Sequence, residues 1–323
     1  MSHPSAIVEP PRPGDEADHW SGHNRYLAFY EGIVTVGLVL CALITILTTI
    51  GIILVLSAQT FEFFVKSKVG VLDFLLGTQL RPEASPPRFG ILPLIWGTFV
   101  IAAGSSMIAL PIGLLSAIFM SEYAPRRMRS VLKPMLELLA GIPTIVYGYL
   151  ALLLVTPSLK ALFEPIGIRV ETFNVLSACI VVGVMIIPMV SSLSEDVLTA
   201  VPRGLREAAY GLGATKFEVS TRIVLPAALS GVVASFILAI SRAVGETMAV
   251  VLAAGSRPQI TLNPLTSAET MTAYIVSVTG GEASYGSPEY LSLFAVGLTL
   301  FAITMILNIC SGFVLRHFRE VYQ

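Results

Sequence analysis

Six long apolar segments restrict the fold of this chain more than any other feature. They occupy residues 33–58, 91–119, 134–155, 173–193, 229–254 and 290–315. A helix needs about 20 consecutive apolar residues to cross the hydrocarbon core of a bilayer, and it satisfies its own backbone polar groups there. Only 13% of the residues are charged, whereas soluble domains carry about a quarter. The sequence therefore predicts an all-α, polytopic membrane protein with six transmembrane helices.

The N-terminal residues differ in character from the rest of the chain. They are polar, and Pro4, Pro10, Pro11 and Pro13 interrupt any helical period. We expect a flexible tail over residues 1–28 and one membrane domain over residues 29–323. The tail lacks a short basic stretch followed by an apolar core and a small-residue cleavage site, so the first apolar segment is expected to serve as an uncleaved anchor.

A charged loop over residues 194–228 separates the fourth and fifth apolar segments. Within it, residues 207–226 read EAAYGLGATKFEVSTRIVLP. Helix-forming residues run up to Leu212, and Gly213 can adopt the left-handed conformation that ends a helix. The pattern predicts two short helices that meet at a glycine elbow, with Pro226 ending the second helix or opening the next one. Such a compact unit could fit a groove on a partner protein, or it could be an ordinary amphipathic connector.

The spacing within this loop resembles the cytoplasmic loop of ATP-binding-cassette importer permeases. Seven positions carry the fixed residues of that pattern: Glu207, Ala208, Ala209, Gly213, Ile223, Leu225 and Pro226. The resemblance implies a bundle like that of type I importer permeases, in which this loop couples the chain to an ATPase. The inner segments would then carry more of the 20 lysines and arginines than the outer ones, which places both termini in the cytoplasm.

Arg242 and Glu246 are the charged residues that stand deepest in an apolar segment. They are four residues apart, so a continuous helix would place them on one face. Charged groups at membrane depth cost a few kcal/mol each unless they are paired or hydrated, and they are therefore candidates for a substrate path. Arginine suits a tetrahedral oxyanion because its planar donors can bond two oxygens at once. A purely structural ion pair is the alternative, and both interpretations can hold together.

Four further stretches sharpen the resemblance. RAVGETMAV at Arg242, together with FGILPLIWGT, MSEYAP and LAGIPTIVYG, resembles the PstC-type permease of phosphate-specific ABC importers, from about the first apolar segment to the end. The resemblance implies a permease that carries inorganic phosphate across a bacterial inner membrane. It also implies three partners: a PstA-type permease, an ATPase dimer that holds ATP and magnesium, and an extracytoplasmic phosphate-binding protein.

Other chemistry finds little support in the sequence. The chain has no G-x-x-x-x-G-K-[ST] phosphate loop, and Cys41, Cys179 and Cys310 are scattered, so we expect no catalytic residue and no cofactor or metal on this chain. A net charge of -1 gives no reason to expect nucleic acid. The alternatives are a permease for another oxyanion such as sulfate or molybdate, the PstA-type subunit, and an ion-coupled secondary transporter. Residues 59–90 are expected to form a small outer structure that either seats a partner or covers the bundle.

Overall fold

The computed structural model describes residues 24–281 and 283–317. The tail expected over residues 1–28 lies outside the described residues up to residue 23, and a helix begins at Asn24. The chain divides into two units, Met1–Val55 and Leu56–Gln323. The first unit contributes the apolar start of the long N-terminal helix, and the second contains all the elements that follow.

The described residues form helices almost throughout. In chain order these are α1 (Asn24–Ser67), α2 (Val71–Leu76), α3 (Leu92–Ile118), α4 (Arg126–Ala140), α5 (Thr144–Leu150), α6 (Thr156–Phe163), α7 (Val175–Ala200), α8 (Arg203–Gly211), α9 (Lys216–Val219), α10 (Leu225–Ala227), α11 (Leu229–Val244), α12 (Met248–Ala254), α13 (Met271–Gly280) and α14 (Pro288–His317). Two antiparallel strands of two residues each, β1 (Leu80–Arg81) and β2 (Arg88–Phe89), form a small hairpin. Wider π turns follow α3 at Phe119–Tyr123, α5 at Ala151–Val155 and α9 at Ser220–Val224.

Within this described part, five helical segments are long and apolar enough to cross a membrane. They are Phe29–Ser67, Leu92–Tyr123, Thr144–Ile166, Val175–Ala200 and Pro288–Phe313. A sixth apolar segment contains α11, which meets the short helices of Lys216–Ala227 at an angle of 73°. The all-α membrane bundle predicted from the apolar segments is therefore correct.

The third apolar segment differs from its prediction. The sequence predicts one span over residues 134–155 that is interrupted at Gly141–Pro143, and the structure has two separate helices there, α4 and α5. Proline lacks an N–H and disfavours helix in the residue before it, so the helix stops and restarts there. The spanning segment is instead Thr144–Ile166, and none of the residues of α4 is buried.

The fourth segment is also longer than predicted. Helix α7 continues to Ala200, so Glu195 and Asp196 are helical rather than part of the loop expected from residue 194. The charged loop begins at Val201. Both acidic residues find basic partners on α4, which accounts for their place in the helix.

Close packing of α3 against α7 forms the centre of the bundle. A Cβ atom at Gly113 would lie 2.6 Å from Val190 Cγ1, and one at Gly104 would overlap the sulfur of Cys179. Small residues allow this approach, and they matter in a membrane because helix association there depends on van der Waals contact. The buried cluster around this contact includes Val182 and Ile186, both completely buried.

Residues 59–90 form a compact structure that packs on one end of the bundle. Phe63 from the end of α1, Phe74 from α2 and Phe89 from β2 make edge-to-face contacts. The same cluster includes Met271 of α13 and Leu291 of α14. This segment therefore packs over α13 and α14.

We predict that Gly104→Ala destabilises the protein because the new methyl group overlaps Cys179. Overpacking of this kind costs about 1–3 kcal/mol. The double variant Gly104→Ala with Cys179→Ala should regain part of the loss, since the remaining Cβ of residue 179 would lie 3.2 Å away. The measurement is the thermal unfolding midpoint in detergent.

Gly51→Ala is the matched control, because nothing lies within 4 Å of its added methyl group. An equal midpoint for Gly104→Ala and Gly51→Ala would contradict the close approach of α3 and α7.

Candidate functional site: the charged loop and the broken fifth span

The glycine elbow predicted in the charged loop is present. Gly213 has φ +85°, and the backbone around it closes α8 with two hydrogen bonds. The Gly213 N–H donates to the Tyr210 carbonyl at 3.0 Å, and the Ala214 N–H donates to the Ala209 carbonyl at 3.1 Å. This pair of bonds is the Schellman ending of a helix, which requires a left-handed residue at this position.

The second helix of the loop starts with a capping box. The Thr215 hydroxyl accepts a hydrogen bond from the Glu218 N–H at 3.3 Å, and the Glu218 carboxylate accepts one from the Thr215 N–H at 2.9 Å. Both ends of the elbow are thus fixed by local bonds. The loop is therefore two short helices whose relative arrangement is stabilised by hydrogen bonds within the loop.

The residues of the predicted pattern divide into two groups by burial. Ala209 is buried, and Ile223 and Leu225 pack against the same apolar cluster, which includes Leu198 of α7 and Ala117 of α3. Glu207, Ala208 and Pro226 are exposed. The apolar members of the pattern therefore fix the loop to the bundle, and the remaining surface is free to meet another protein.

Large apolar side chains stand on that free surface. Leu212 is 91% exposed and Phe217 is 68% exposed, and they lie on the two sides of the elbow at Gly213. Glu207 is exposed on α8. A charged residue beside two exposed apolar ones is the usual composition of a protein interface centre and its rim.

Arg206 holds α8 against the ends of two long helices. Its guanidinium donates to the Glu122 carboxylate through Nη2 at 2.9 Å and through Nε at 3.2 Å. It also donates to the backbone carbonyls of Leu198 at 2.7 Å and Val201 at 2.5 Å. Glu122 belongs to the π turn after α3, whereas both carbonyls lie at the end of α7.

A second ionic cluster joins α4 to α7. Glu195 is completely buried, and it accepts from Arg129 and from Lys133 Nζ, the latter at 3.0 Å. Lys133 also contacts Asp196. The hydrogen bond to Asp196, followed by that to Glu195, raises the pKa of Lys133 above its ordinary value.

Sequence reasoning missed both ionic contacts. Glu122 and Arg206 are 84 positions apart, and Lys133 and Glu195 are 62 apart. The available signal was the position of Glu122 and Glu195 at the ends of apolar segments, where a charge is expected to have a partner. That signal identifies the residue but not its partner.

Arg242 and Glu246 do not share a helix face. Helix α11 ends at Val244, and α12 begins at Met248, so a break at Gly245–Thr247 separates them. Glu246 is 7% exposed, and its carboxylate accepts from the Ala249 N–H at 3.3 Å. Arg242 is exposed. The predicted common face is wrong, and no ion pair joins these two residues in the described chain.

Local hydrogen bonds stabilise the break. Gly245 follows the last residue of α11, and its N–H donates to the Ser241 carbonyl at 3.2 Å. The Glu246 carbonyl, freed from the helix, accepts from the Thr272 hydroxyl at 2.7 Å. Irregular backbone at membrane depth is stable where neighbouring protein satisfies it in this way. The break turns Glu246 into the protein and leaves Arg242 on the surface of the single chain.

Residues 109–320 match the family of binding-protein-dependent transport system inner membrane components. The chain belongs to this family. The match contains the charged loop and the broken fifth span. This membership makes the permease a multi-pass inner-membrane component of a transport system that, by the family description, depends on a binding protein.

Individual relatives resemble the permease over most of its length. The probable ABC transporter permease protein YqgH of Bacillus subtilis is 35% identical over 288 residues, covering 88% of this chain and 90% of that protein. The phosphate transport system permease protein PstC of Mesorhizobium japonicum is 33% identical, covering 75% of this chain and 78% of its own. The probable PstC protein of Methanocaldococcus jannaschii is 30% identical, covering 77% of this chain and 83% of that protein.

Solved structures share the fold at low identity. A bacterial alginate ABC transporter, in complex with an alginate-bound periplasmic protein, gives a TM-score of 0.58 at 15% identity, covering 90% of this chain and 95% of that chain. The inward-facing MetNI methionine ABC transporter gives a TM-score of 0.51 at 18% identity, covering 72% of this chain and 95% of that chain. The permease therefore has the bundle of importer permeases, as the sequence predicts.

We predict that Gly213→Val impairs coupling while the protein still inserts into the membrane. Nothing lies within 4 Å of an added Cβ, so the valine does not clash with a neighbour. The positive φ of residue 213 is what strains the variant. A β-branched residue held there costs about 1–3 kcal/mol. Uptake of the transported solute and co-purification of an ATPase are the measurements.

Gly211→Val is the control for this variant. Gly211 also has open space around it, but it lies in α8 without a positive φ. If Gly213→Val retained full uptake and full ATPase association, the elbow would have no part in the mechanism.

Proposed function

We propose that this permease carries inorganic phosphate across a bacterial inner membrane as one subunit of an ATP-driven importer. The observation that carries the proposal is its similarity to phosphate transport system permease proteins. Three further PstC proteins, from two strains of Xylella fastidiosa and from Haemophilus influenzae, are 33–35% identical over 73–77% of this chain. Sulfate, molybdate and ion-coupled transport have no comparable support.

The importer has partners on both sides of the membrane. An ATPase dimer holds ATP and magnesium, since this chain has no phosphate loop of its own. It docks on the charged loop, where Glu207, Leu212 and Phe217 form the exposed surface. ATP is available in the cytoplasm, so the loop and both termini face that side. An extracytoplasmic phosphate-binding protein delivers the anion from the other side.

Arg242 is the residue of this chain that meets the anion. It lies roughly 20 Å along α11 from Leu229, at about 1.5 Å per residue, which is within the thickness of the hydrocarbon core. An exposed arginine at that depth cannot face lipid without a cost of a few kcal/mol. Its surroundings are therefore a hydrated path or another protein, and its fork of donors fits two phosphate oxygens.

A second permease of the PstA type completes this path. The exposed side chains of α5 and the following π turn include Tyr149, Leu153 and Leu154. Together with exposed Arg242, they give the chain one polar and several apolar surfaces at membrane depth. A path between two permeases places Arg242 on an aqueous route and covers the apolar surfaces with protein or lipid.

Glu246 supports the path from inside the protein. Its carboxylate caps the start of α12 at Ala249, and its carbonyl is bonded by Thr272 of α13. These bonds hold the break beside Arg242 in one conformation. A carboxylate close to an anion path would also disfavour anions that are not held by arginine, because like charges repel in a low-dielectric site.

We expect Arg242→Lys to lower phosphate uptake by about tenfold or more, because lysine keeps the charge but loses the two-oxygen bond set. Glu246→Gln should have a milder effect, since an amide oxygen can still accept from the Ala249 N–H. The assay is uptake of labelled phosphate in membrane vesicles with ATP inside, with protein level measured in the same membranes. Arg257→Lys, an exposed arginine in the segment after α12, is the control.

Competition experiments identify the solute. Excess sulfate and molybdate should leave phosphate uptake unchanged. Uptake that needs an ion gradient and no ATP would refute the importer, whereas ATP-driven uptake of sulfate or molybdate would replace phosphate as the solute. Full uptake by Arg242→Lys would show that the anion does not need the guanidinium.

A further inference from the structure

Besides its apolar contacts with the bundle, the charged loop is held there by the polar contacts of one side chain, Arg206. Covalently, α8 follows α7 through only two residues, Val201 and Pro202. A linker of two residues can act as a hinge about which one helix rotates relative to the other. A movement of α8 therefore displaces the membrane helices together with it only if non-covalent contacts prevent rotation at this linker.

We propose that Arg206 is the positioning residue that converts movement of α8 into movement of α3 and α7 together. The inference rests on the proposed function, in which an ATPase moves the charged loop. Arg206 is 15% exposed and Glu122 is 6% exposed, so their bond is shielded from competing water. The Ser121 hydroxyl also donates to the Glu122 carboxylate, at 3.0 Å, and helps to fix its orientation.

The other two acceptors of Arg206 tie it to α7. Carbonyls in the last turn of a helix lack helical partners and carry the negative end of the helix dipole. Arg206 bonds two carbonyls at this end of α7, that of Val201 and that of Leu198, which also accepts from the Val201 N–H at 3.4 Å. One planar group thus joins the ends of α3 and α7 to α8. Lysine is not equivalent, because its three donors share one nitrogen, whereas Arg206 spreads its bonds over Nε, Nη1 and Nη2.

A continuous set of contacts leads from these helix ends to the broken fifth span. Helix α3 moves with α7 because the Ser191 hydroxyl of α7 bonds the Gly113 carbonyl of α3 at 3.2 Å. Helix α7 is joined to α11 by the buried pair of Ser194 and Ser235 hydroxyls, 2.7 Å apart. Arg242 lies about two turns further along α11. Arg206 therefore stands at the loop end of a chain of contacts that ends at Arg242.

Spatial continuity alone does not establish energetic coupling, so the variants are chosen to measure it. Arg206→Lys keeps the charge and removes the three-way bond. Glu122→Gln keeps the size of the acceptor and removes its charge. Arg203→Lys is the matched control, since Arg203 is exposed on the same helix and donates no hydrogen bond within the described residues.

The experiment uses the whole complex, with second permease, ATPase and binding protein, in proteoliposomes. The readout is the number of phosphate ions moved per ATP hydrolysed. We expect this ratio to fall by about fivefold or more in Arg206→Lys and in Glu122→Gln, while ATP hydrolysis and subunit assembly stay near wild type. The double variant should match the single ones, because both remove the same contact.

A purely structural role for Arg206 predicts a different result. Hydrolysis, uptake and assembled complex would then fall together, with the ratio unchanged, and that outcome overturns the proposal. A wild-type ratio in Arg206→Lys also overturns it.

A distance measurement separates this proposal from the identity of the solute. Spin labels at Gly204→Cys and Phe119→Cys report on α8 and the end of α3, in a chain whose exposed Cys41 and Cys310 are serine. With Arg206 in place, the distance between the two labels should stay constant when ATP binds to the complex. In Arg206→Lys the distribution of this distance should broaden or shift. If the complex moves no phosphate but the two variants still differ in this distance, only the proposed solute is refuted. If the wild-type chain and Arg206→Lys give equal distances, the role of Arg206 is refuted.

Discussion

The close approach of α3 and α7 is the contact on which the rest of the structure depends. In a membrane, apolar side chains gain little by leaving lipid for protein, so helices associate through tight packing of small residues. Gly104 and Gly113 of α3 supply that fit against Cys179 and Val190 of α7. Because the two helices lie together along their length, their ends also lie together, and Arg206 can bond both.

The broken fifth span shows how the same bilayer constraint is met where charge is needed. An uninterrupted helix would place Arg242 and Glu246 on one face. The break at Gly245 separates them, and the free Glu246 carbonyl is bonded by Thr272. Backbone that leaves the helix at this depth needs such a partner. The Thr272 hydrogen bond offsets the cost of the irregular backbone. As a result Glu246 is buried in the protein, whereas Arg242 is exposed.

Fold and solute specificity depend on different levels of similarity. The bundle is shared with importers of alginate and methionine at 15–18% identity. A common fold at that identity carries no information on the solute. The proposal of phosphate instead depends on relatives at 30–35% identity and on one exposed arginine at membrane depth. Loop shape follows the fold, whereas the transported anion depends on a few side chains.

The sequence by itself determined the features whose causes are local. Apolar length predicted the membrane helices, and the positive φ of Gly213 follows from a glycine placed just after a run of helix formers. Local reasoning was wrong for the third span, where Pro143 stops a helix that hydrophobicity alone would continue. It was also wrong for Arg242 and Glu246, since a glycine in an apolar run can be helical or can end a helix.

Only the tertiary structure decided which charged groups meet. Glu122 and Arg206 are 84 positions apart, and Glu195 finds its partners on α4 only because α4 packs against α7. A buried carboxylate requires a partner, which the sequence indicates, but any of several arginines could supply it. The choice depends on how α3 and α7 pack, because that packing sets which helix ends come within reach of one guanidinium.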